Sequence, residues 1–334
     1  MTPLLIAMLL LAPARSAAGQ PGEKPLPQNA HVQSEVNLFI ELHNHLQVAS
    51  KAGDELQPEY RSELKAYIEA RELAKDPRVW QIVNDACIIG PDISAIGKVA
   101  GHLPANLAAP DQEAVKKMLG ALESAWPRFM AGEGIEHNRS LQVVWSKVLL
   151  KHWSLIEGRL LTALYDKFEF QPIDARITVY PVIEPNELGD WGRTDRGYYL
   201  IIPVAKMPNL VIIEELLHEV THILADRQPA GSNSVLKQLA MQASGADKEA
   251  LDHFTEGLVS WNAGEFIRRF VSADYKPLIE ISPELRRPIE AYLSAYQGPW
   301  VGYLEGKISA DEAIKGMAAA LKPAPASSSA KTGS

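Results

Sequence analysis

The chain has 334 residues, of which 46% are hydrophobic and 22% are charged, so it has ample material for a core and global disorder is excluded. The formal net charge at pH 7 is -8, and the lysines and arginines are scattered, which argues against binding to a nucleic-acid backbone. The single cysteine, Cys87, excludes an internal disulfide and a zinc site built from cysteines.

The first residues predict an export signal. The apolar run MTPLLIAMLLLA is followed by small residues that offer a cleavage site at Ala18 or Gly19, although no lysine or arginine precedes the run. The run is too short to span a bilayer comfortably, and no cysteine follows it directly as a lipid attachment site. We therefore expect a signal peptide at residues 1–19 and an exported protein, periplasmic or extracellular, without a stable membrane anchor after cleavage. A buried N-terminal helix is the alternative.

Composition and periodicity divide the next part of the chain. Residues 20–33 are rich in proline, glycine and polar side chains and predict a flexible leader. Apolar residues spaced three and four apart then predict a wholly helical region over residues 34–168. Its clearest helices are expected from Ser34 onward, at 59–75, from Pro110 onward and at about 140–166.

After residue 168 the apolar residues follow a pattern typical of strands and no longer the helical spacing. Residues 175–183 (ARITVYPVI) and 197–205 (GYYLIIPVA) predict two strands that form a hairpin or lie side by side, joined by a polar connection at 186–196. Helices are expected at 210–226, 246–270, 283–293 and 310–321, and the last residues, 322–334 (KPAPASSSAKTGS), predict a disordered tail. The predicted class is α+β, predominantly helical, with a small sheet before the helix at 210–226.

That helix contains the most informative motif, His218-Glu219-Val220-Thr221-His222, an HExxH sequence. Residues four apart lie about 40° apart around a helix, so the two imidazoles face one side and can bind one metal ion. Glu219 lies beside the pair and can reach a metal-bound water without being a ligand. The alternative is a pair of buried histidines without a metal.

A catalytic zinc site of this kind needs a third protein ligand. The extended HExxHxxGxxH pattern is absent, which excludes a third histidine on the same segment. The next suitable helix, at 246–270, offers Asp252, Glu256 and Glu265, and the first two share a face. We favour Glu256, because Gly257 allows close contact between helices and because glutamate reaches further than aspartate.

The HEVTH sequence, the strand before it and the downstream EGL segment resemble the gluzincin clan of zinc metallopeptidases. The resemblance covers residues 175–270 and implies a zincin-like catalytic core, which we place at residues 169–321. It also implies that the strand at 197–205 is an edge strand along which an extended peptide substrate can lie. The helical region at 34–168 resembles no family.

For the site itself, the resemblance implies one Zn²⁺ per chain, with His218, His222 and Glu256 as ligands. It implies Glu219 as the general base that takes a proton from water and returns it to the leaving amine. The expected reaction is hydrolysis of a peptide bond in a peptide or protein substrate.

Such a reaction also needs a donor for the oxyanion of the tetrahedral intermediate. His253, one helical turn before Glu256, is the first candidate. Tyr198 and Tyr199 are the next candidates, because one of them must point toward the cleft if the strand alternates.

Three further carboxylates lie close to the motif in sequence. Asp226, four residues after His222, can orient a ligand or can be a polar residue at the helix end. We interpret Glu214 and Glu215 as first-turn carboxylates that the helix dipole favours.

The leading hypothesis is an exported zinc-dependent metallopeptidase. A second is a zinc-binding protein without catalysis, in which residues 34–168 form a surface for a partner. A third is an exported helical binding protein that holds no metal.

Overall fold

A computed structural model describes residues 30–52, 57–90, 92–141, 147–173, 175–183, 190–195, 197–204 and 209–321. Within these residues the protein is mostly helical and contains one four-stranded mixed sheet, which confirms the predicted α+β class. The predicted signal peptide and the predicted tail lie outside the described residues. Among the described helices, none is both long enough and apolar enough to cross a membrane.

The elements from Ala30 to Phe168 are mostly helices, as predicted, although the first helix begins at Leu38 and not at Ser34. They are β1 (Ala30–Ser34), α1 (Leu38–Ala52), α2 (Arg61–Leu73), α3 (Arg78–Ile89), α4 (Ile93–Lys98), α5 (Ala109–Ala131), α6 (Glu133–Ser140) and α7 (Lys147–Phe168).

The remaining elements contain the other strands and the helix with the HExxH motif. They are β2 (Ala175–Val182), β3 (Asp190–Thr194), β4 (Gly197–Pro203), α8 (Asn209–Asp226), α9 (Val235–Gln242), α10 (Lys248–Phe270), α11 (Leu278–Ile281), α12 (Pro283–Arg286), α13 (Leu293–Ala295), α14 (Val301–Leu304) and α15 (Ala310–Ala320). Among these, α9, α11 and α14 are helices that the sequence patterns do not predict.

The sheet has the strand order β1-β2-β4-β3. β2 and β4 are parallel neighbours, with Ile177 opposite Tyr198, whereas β3 and β4 form the antiparallel hairpin, with Trp191 opposite Leu200. The two predicted strands are therefore adjacent, but the hairpin partner of β4 is a strand inside the predicted connection.

The prediction that residues 197–205 form an edge strand is wrong. β4 lies between β2 and β3, and six of its seven residues are buried. The edge strand is β3, which the polar sequence DWGRT did not indicate. At Gly192 in β3 a Cβ atom would lie 2.3 Å from the Tyr199 ring, so the hairpin requires glycine there.

The predicted leader at 20–33 is also too long. Residues 30–34 form β1, which pairs in parallel with β2 from Ala30 opposite Ala175 to Ser34 opposite Val179. Its sequence, AHVQS, has no strong strand pattern, so pairing with β2 accounts for the strand better than local preference does. The rest of the leader lies outside the described residues.

Two hydrophobic cores lie on opposite faces of the sheet. In β4, Tyr198, Leu200 and Ile202 belong to the core formed with α7, α8 and α10, whereas Tyr199 and Ile201 belong to the core formed with α1, α2, α3 and α5. Burial on both faces explains the nearly continuous apolar sequence of β4.

α8 packs on β4 and against α10. The two helices are antiparallel, since Glu214 lies next to Gly264, His218 next to Ser260, and His222 next to Glu256. This pairing faces the motif of α8 toward the middle of α10.

The close approach that we expected at Gly257 occurs, but against another part of the chain. A Cβ atom at Gly257 would lie 2.5 Å from Ile289 Cγ2 and 2.8 Å from the Tyr296 hydroxyl. The glycine of α10 that allows close contact with α8 is Gly264, where a Cβ atom would lie 2.7 Å from Glu214 Oε1.

Gly257→Ala is expected to lower the free energy of unfolding by about 1–3 kcal/mol, because the added methyl group overlaps the Ile289 side chain. Gly120→Ala is the matched control, since it lies inside α5 with no atom within 4 Å of its added Cβ, and it should be neutral or stabilising. Urea denaturation of both variants measures the difference. Equal stability of the two variants would contradict the packing described at Gly257.

Candidate metal centre

α8 holds the motif rigidly because most of the helix is buried. Its apolar side packs in the core through Leu216, Leu217, Val220, Ile223 and Leu224. The side chains of His218 and His222 lie on the other side, with 12% and 22% of their surface exposed. The helix therefore presents both imidazoles from a fixed backbone.

The structure brings His218, His222 and Glu256 together. His218 Nε2 lies 3.0 Å from Glu256 Oε1, His222 Nε2 lies 3.0 Å from Glu256 Oε2, and the two Nε2 atoms are 3.1 Å apart. One ligand atom from each residue falls within 4.8 Å of the others, so the group can hold a metal ion. These are the three residues that the sequence predicted as ligands.

The other two carboxylates considered as ligands are engaged elsewhere. Asp252 pairs with Lys248 on the exposed side of α10. Glu265 pairs with Arg268 and Arg269. Neither belongs to the convergent group.

The chemistry of the donors fits a divalent metal ion. Two imidazole nitrogens and a carboxylate form a ligand set that leaves a further position open for water. Ser260 Oγ lies 3.0 Å from His218 Nδ1, so the serine fixes the ring with Nε2 directed at the centre of the group. The residues present therefore suit a bound cation.

The environment also favours the ligand forms of His218 and Glu256. Burial lowers the pKa of His218, which favours neutral imidazole. Burial by itself would raise the pKa of Glu256, but hydrogen bonds from His218 and His222 hold that pKa well below its usual range.

Glu219 is 5% exposed and lies beside the convergent group without joining it, with its Oε1 atom 3.9 Å from His218 Nε2. It lines a cavity of about 450 Å³ that reaches His218 and Glu256 of the convergent group. The lining consists of Glu214, Glu215, His218, Glu219, Glu256, Ser260, Leu278, Ile279, Glu284 and Leu285.

The interpretation of Glu214 and Glu215 as first-turn carboxylates is wrong. α8 begins at Asn209, so both lie in its second turn, where they are buried and line the cavity. Burial raises the pKa of Glu214 to about 7, against the effect of hydrogen bonds from the Tyr275 hydroxyl and the Leu278 backbone N–H. Burial and the charges of Glu214 and Glu256 raise the pKa of Glu215 to about 8.

The predicted oxyanion donors do not line this cavity. The hydroxyl of Tyr198 donates to Asp226 Oδ2 at 2.9 Å, and the hydroxyl of Tyr199 donates to Asp85 Oδ1 at 2.9 Å on the other face of the sheet. His253 is exposed on α10 and is absent from the described lining. His253, Tyr198 and Tyr199 are thus absent from the described lining, and an oxyanion role for any of them stays a prediction.

Ser260 supports His218, and the sequence patterns do not predict this role. Ser260 orients the His218 ring, a role that we considered for Asp226. Asp226 instead accepts a hydrogen bond from Tyr198. Ser260 lies four residues after Glu256 and shares its helix face, so the spacing alone places it near the predicted ligand.

Ser260→Ala is expected to weaken metal binding by about 10- to 100-fold, since His218 loses the partner that holds its ring. Ser154→Ala, at an exposed serine on α7, serves as the control and should leave the affinity unchanged. Competition with a chromophoric chelator measures both affinities. An affinity of Ser260→Ala equal to that of the control would refute the orienting role.

No family model, curated protein or solved structure matches this chain. The case for a function therefore depends on the donors, the cavity and the charges of the site itself.

Proposed function

We propose that this protein is an exported zinc-dependent metallopeptidase with a gluzincin-type centre in a zincin-like core. The observation that carries the proposal is the convergence of His218, His222 and Glu256 beside Glu219, at the wall of a cavity of about 450 Å³. A structural metal site would be closed on all sides, whereas this group adjoins a space that a substrate can enter.

Zinc is the proposed ion because two imidazoles and one carboxylate are a ligand set of catalytic zinc. When bound, zinc acts as a Lewis acid and lowers the pKa of water in its open position. His218, His222 and Glu256 would hold it, and Ser260 would keep His218 in the required orientation.

Glu219 performs the proton transfers in the proposed reaction. Its carboxylate accepts a proton from the attacking water as the water oxygen adds to the scissile carbonyl carbon. When the carbon–nitrogen bond breaks, Glu219 donates that proton to the leaving amine. Burial of α8 fixes the carboxylate next to the metal-binding residues, so little reorganisation is needed between the two transfers.

The apolar wall of the cavity contributes to binding. Leu278, Ile279 and Leu285 line the same cavity as the carboxylates. These side chains can pack against a substrate residue and displace water from the scissile bond.

The test is metal content together with hydrolysis in the full chain. After dialysis against a weak chelator, we expect about one zinc per chain and cleavage of members of a peptide library. Removal of the metal with a strong chelator should abolish cleavage, and added zinc should restore it. Equal metal content in the wild type and in a His218→Ala, His222→Ala double variant would contradict the proposal.

Export is proposed from the apolar run and the small residues at positions 1–19. Mass spectrometry of the protein recovered from an exporting host is expected to show a chain that begins just after Ala18 or Gly19. A mature protein that retains Met1 would overturn this part of the proposal.

A second candidate is a binding protein without catalysis. A larger cavity, of about 600 Å³, lies between α1, α3 and the sheet and is lined by residues such as His43, Arg71, Trp80, Asn84 and Trp191. None of the three metal-binding residues lines it, so it supports a ligand or partner site on the helical region and not the chemistry of the motif. Zinc binding without hydrolysis of any peptide would favour this candidate.

A further inference from the structure

We infer that the cavity beside the metal centre binds a cationic group of the substrate, with the Glu215 carboxylate as its acceptor. The inference rests on the proposed peptidase function for its substrate class. The cation is an ammonium or guanidinium group close to the scissile bond, supplied by a lysine or arginine side chain or by the free N-terminus of a peptide.

The cavity is lined by five glutamates, and its described lining contains no lysine or arginine. Glu219 and Glu256 belong to the metal centre. Glu214 is satisfied by neutral donors, the Tyr275 hydroxyl and the Leu278 backbone N–H. Glu215 and Glu284 remain as carboxylates that no other role explains.

Glu215 carries the argument because it is buried without a compensating partner. It is 5% exposed, and among the described residues no hydrogen-bond donor and no cation is paired with it. The charges that act on it are the carboxylates of Glu214 and Glu256. Ionisation of Glu215 is costly in this environment, and a bound cation would offset that cost and favour the carboxylate.

The position of Glu215 places such a cation next to the reaction. Glu215 lies one helical turn before His218 and Glu219 on α8, which corresponds to about 5–6 Å along the helix axis. A group held there belongs to a residue adjacent to the scissile bond. A separation of this size between Glu215 and the catalytic turn suits recognition of the substrate residue next to the scissile bond, and not of a remote part of the substrate.

The other side chains of the cavity fit the same ligand. Glu284 is exposed at the cavity and can attract a cation from solvent. Leu278, Ile279 and Leu285 provide apolar surface for the methylene stem of lysine or arginine.

The test is binding of three tetrapeptide amides to full-length, zinc-loaded Glu219→Gln, in which turnover is expected to be greatly reduced. The probes are acetyl-Ala-Ala-Lys-Ala-amide, acetyl-Ala-Ala-norleucine-Ala-amide and the second sequence with a free N-terminus. Isothermal titration calorimetry is expected to show that at least one cationic probe binds about 10- to 100-fold more tightly than the neutral probe. The lysine probe and the free N-terminus probe separate the two sources of the cation.

The Glu215→Gln change in the same background is expected to remove this difference. Glu113→Gln, which removes an exposed carboxylate from α5, is the control and should preserve it. Glu284→Gln, at an exposed position where folding is not at risk, should weaken cationic probes severalfold and reduce the salt dependence of their binding.

Three results would overturn the inference. They are equal binding of all three probes, a preference that survives Glu215→Gln, and a second zinc ion per chain that Glu215→Gln removes. Selective binding without hydrolysis of any peptide by the wild type would instead contradict only the proposed peptidase function. Hydrolysis of peptides without a cation preference would contradict only the role of Glu215.

Discussion

Glu219→Gln is expected to retain the metal and the fold but to lose about 100- to 10,000-fold of peptide hydrolysis. The amide has nearly the shape of the carboxylate, and position 219 lies outside the convergent group of His218, His222 and Glu256. It cannot accept a proton from water, so the first proton transfer loses its base. The effect should appear in kcat more than in KM, because the interaction is made in the transition state.

The matched control is Asp226→Asn on the same helix. Asp226 is exposed, accepts its hydrogen bond from Tyr198 and does not line the cavity, so its loss should change hydrolysis only slightly. Metal analysis, circular dichroism and steady-state kinetics on one peptide substrate compare the two variants with the wild type. Undiminished turnover by Glu219→Gln would exclude the proposed role.

The parts of the site that the sequence predicts are those that local helix geometry determines. His218 and His222 face one side because they lie four residues apart, and Ile223 and Leu224 bury the opposite side. Glu219 follows from the same spacing. No tertiary information is needed for this half of the site.

The remaining half depends on how separate elements pack. Glu256 was favoured partly because of Gly257, yet Gly257 contacts Ile289 and Tyr296, and the tight contact with α8 is at Gly264. The prediction and the structure name the same residue, but the packing that we expected to bring it there is different. The antiparallel offset of α8 and α10 determines which carboxylate meets the histidines, and single-residue patterns do not encode that offset.

The burial of Glu215 is also a tertiary effect. The sequence EELLHEVTH suggests charged residues at a helix start, where a carboxylate is favourable and exposed. Instead, the helix starts at Asn209, and α11 and α12 cover its second turn with Leu278, Ile279 and Leu285. Distant segments thus convert an ordinary surface residue into a buried one.

The central position of β4 in the sheet can be predicted from its sequence. The run GYYLIIP in β4 is apolar on both faces, which is typical of a strand in the middle of a sheet. The short edge strands β1 and β3 have polar sequences and form by pairing with β2 and β4. Local preference alone could not have placed them.

Glu256→Ala is expected to weaken zinc binding by more than the roughly 10- to 100-fold typical of losing a residue that only supports a ligand. Two imidazoles on one helix would remain, and a metal ion held by two protein ligands dissociates more readily than one held by three. Glu256 is also the residue that contacts both histidines, with Oε1 3.0 Å from His218 Nε2 and Oε2 3.0 Å from His222 Nε2.

Asp252→Ala provides the matched control, because it removes a carboxylate one helical turn away that pairs with Lys248 on the exposed side of α10. Zinc that binds the native state raises the melting temperature, and the rise depends on its dissociation constant. Thermal unfolding across a zinc titration should therefore show a large rise for the wild type and for Asp252→Ala, and little or none for Glu256→Ala. The comparison separates lost metal binding from lost stability, since a variant that merely folds less well begins at a lower melting temperature but still responds to zinc. A full zinc response in Glu256→Ala would show that another residue completes the site.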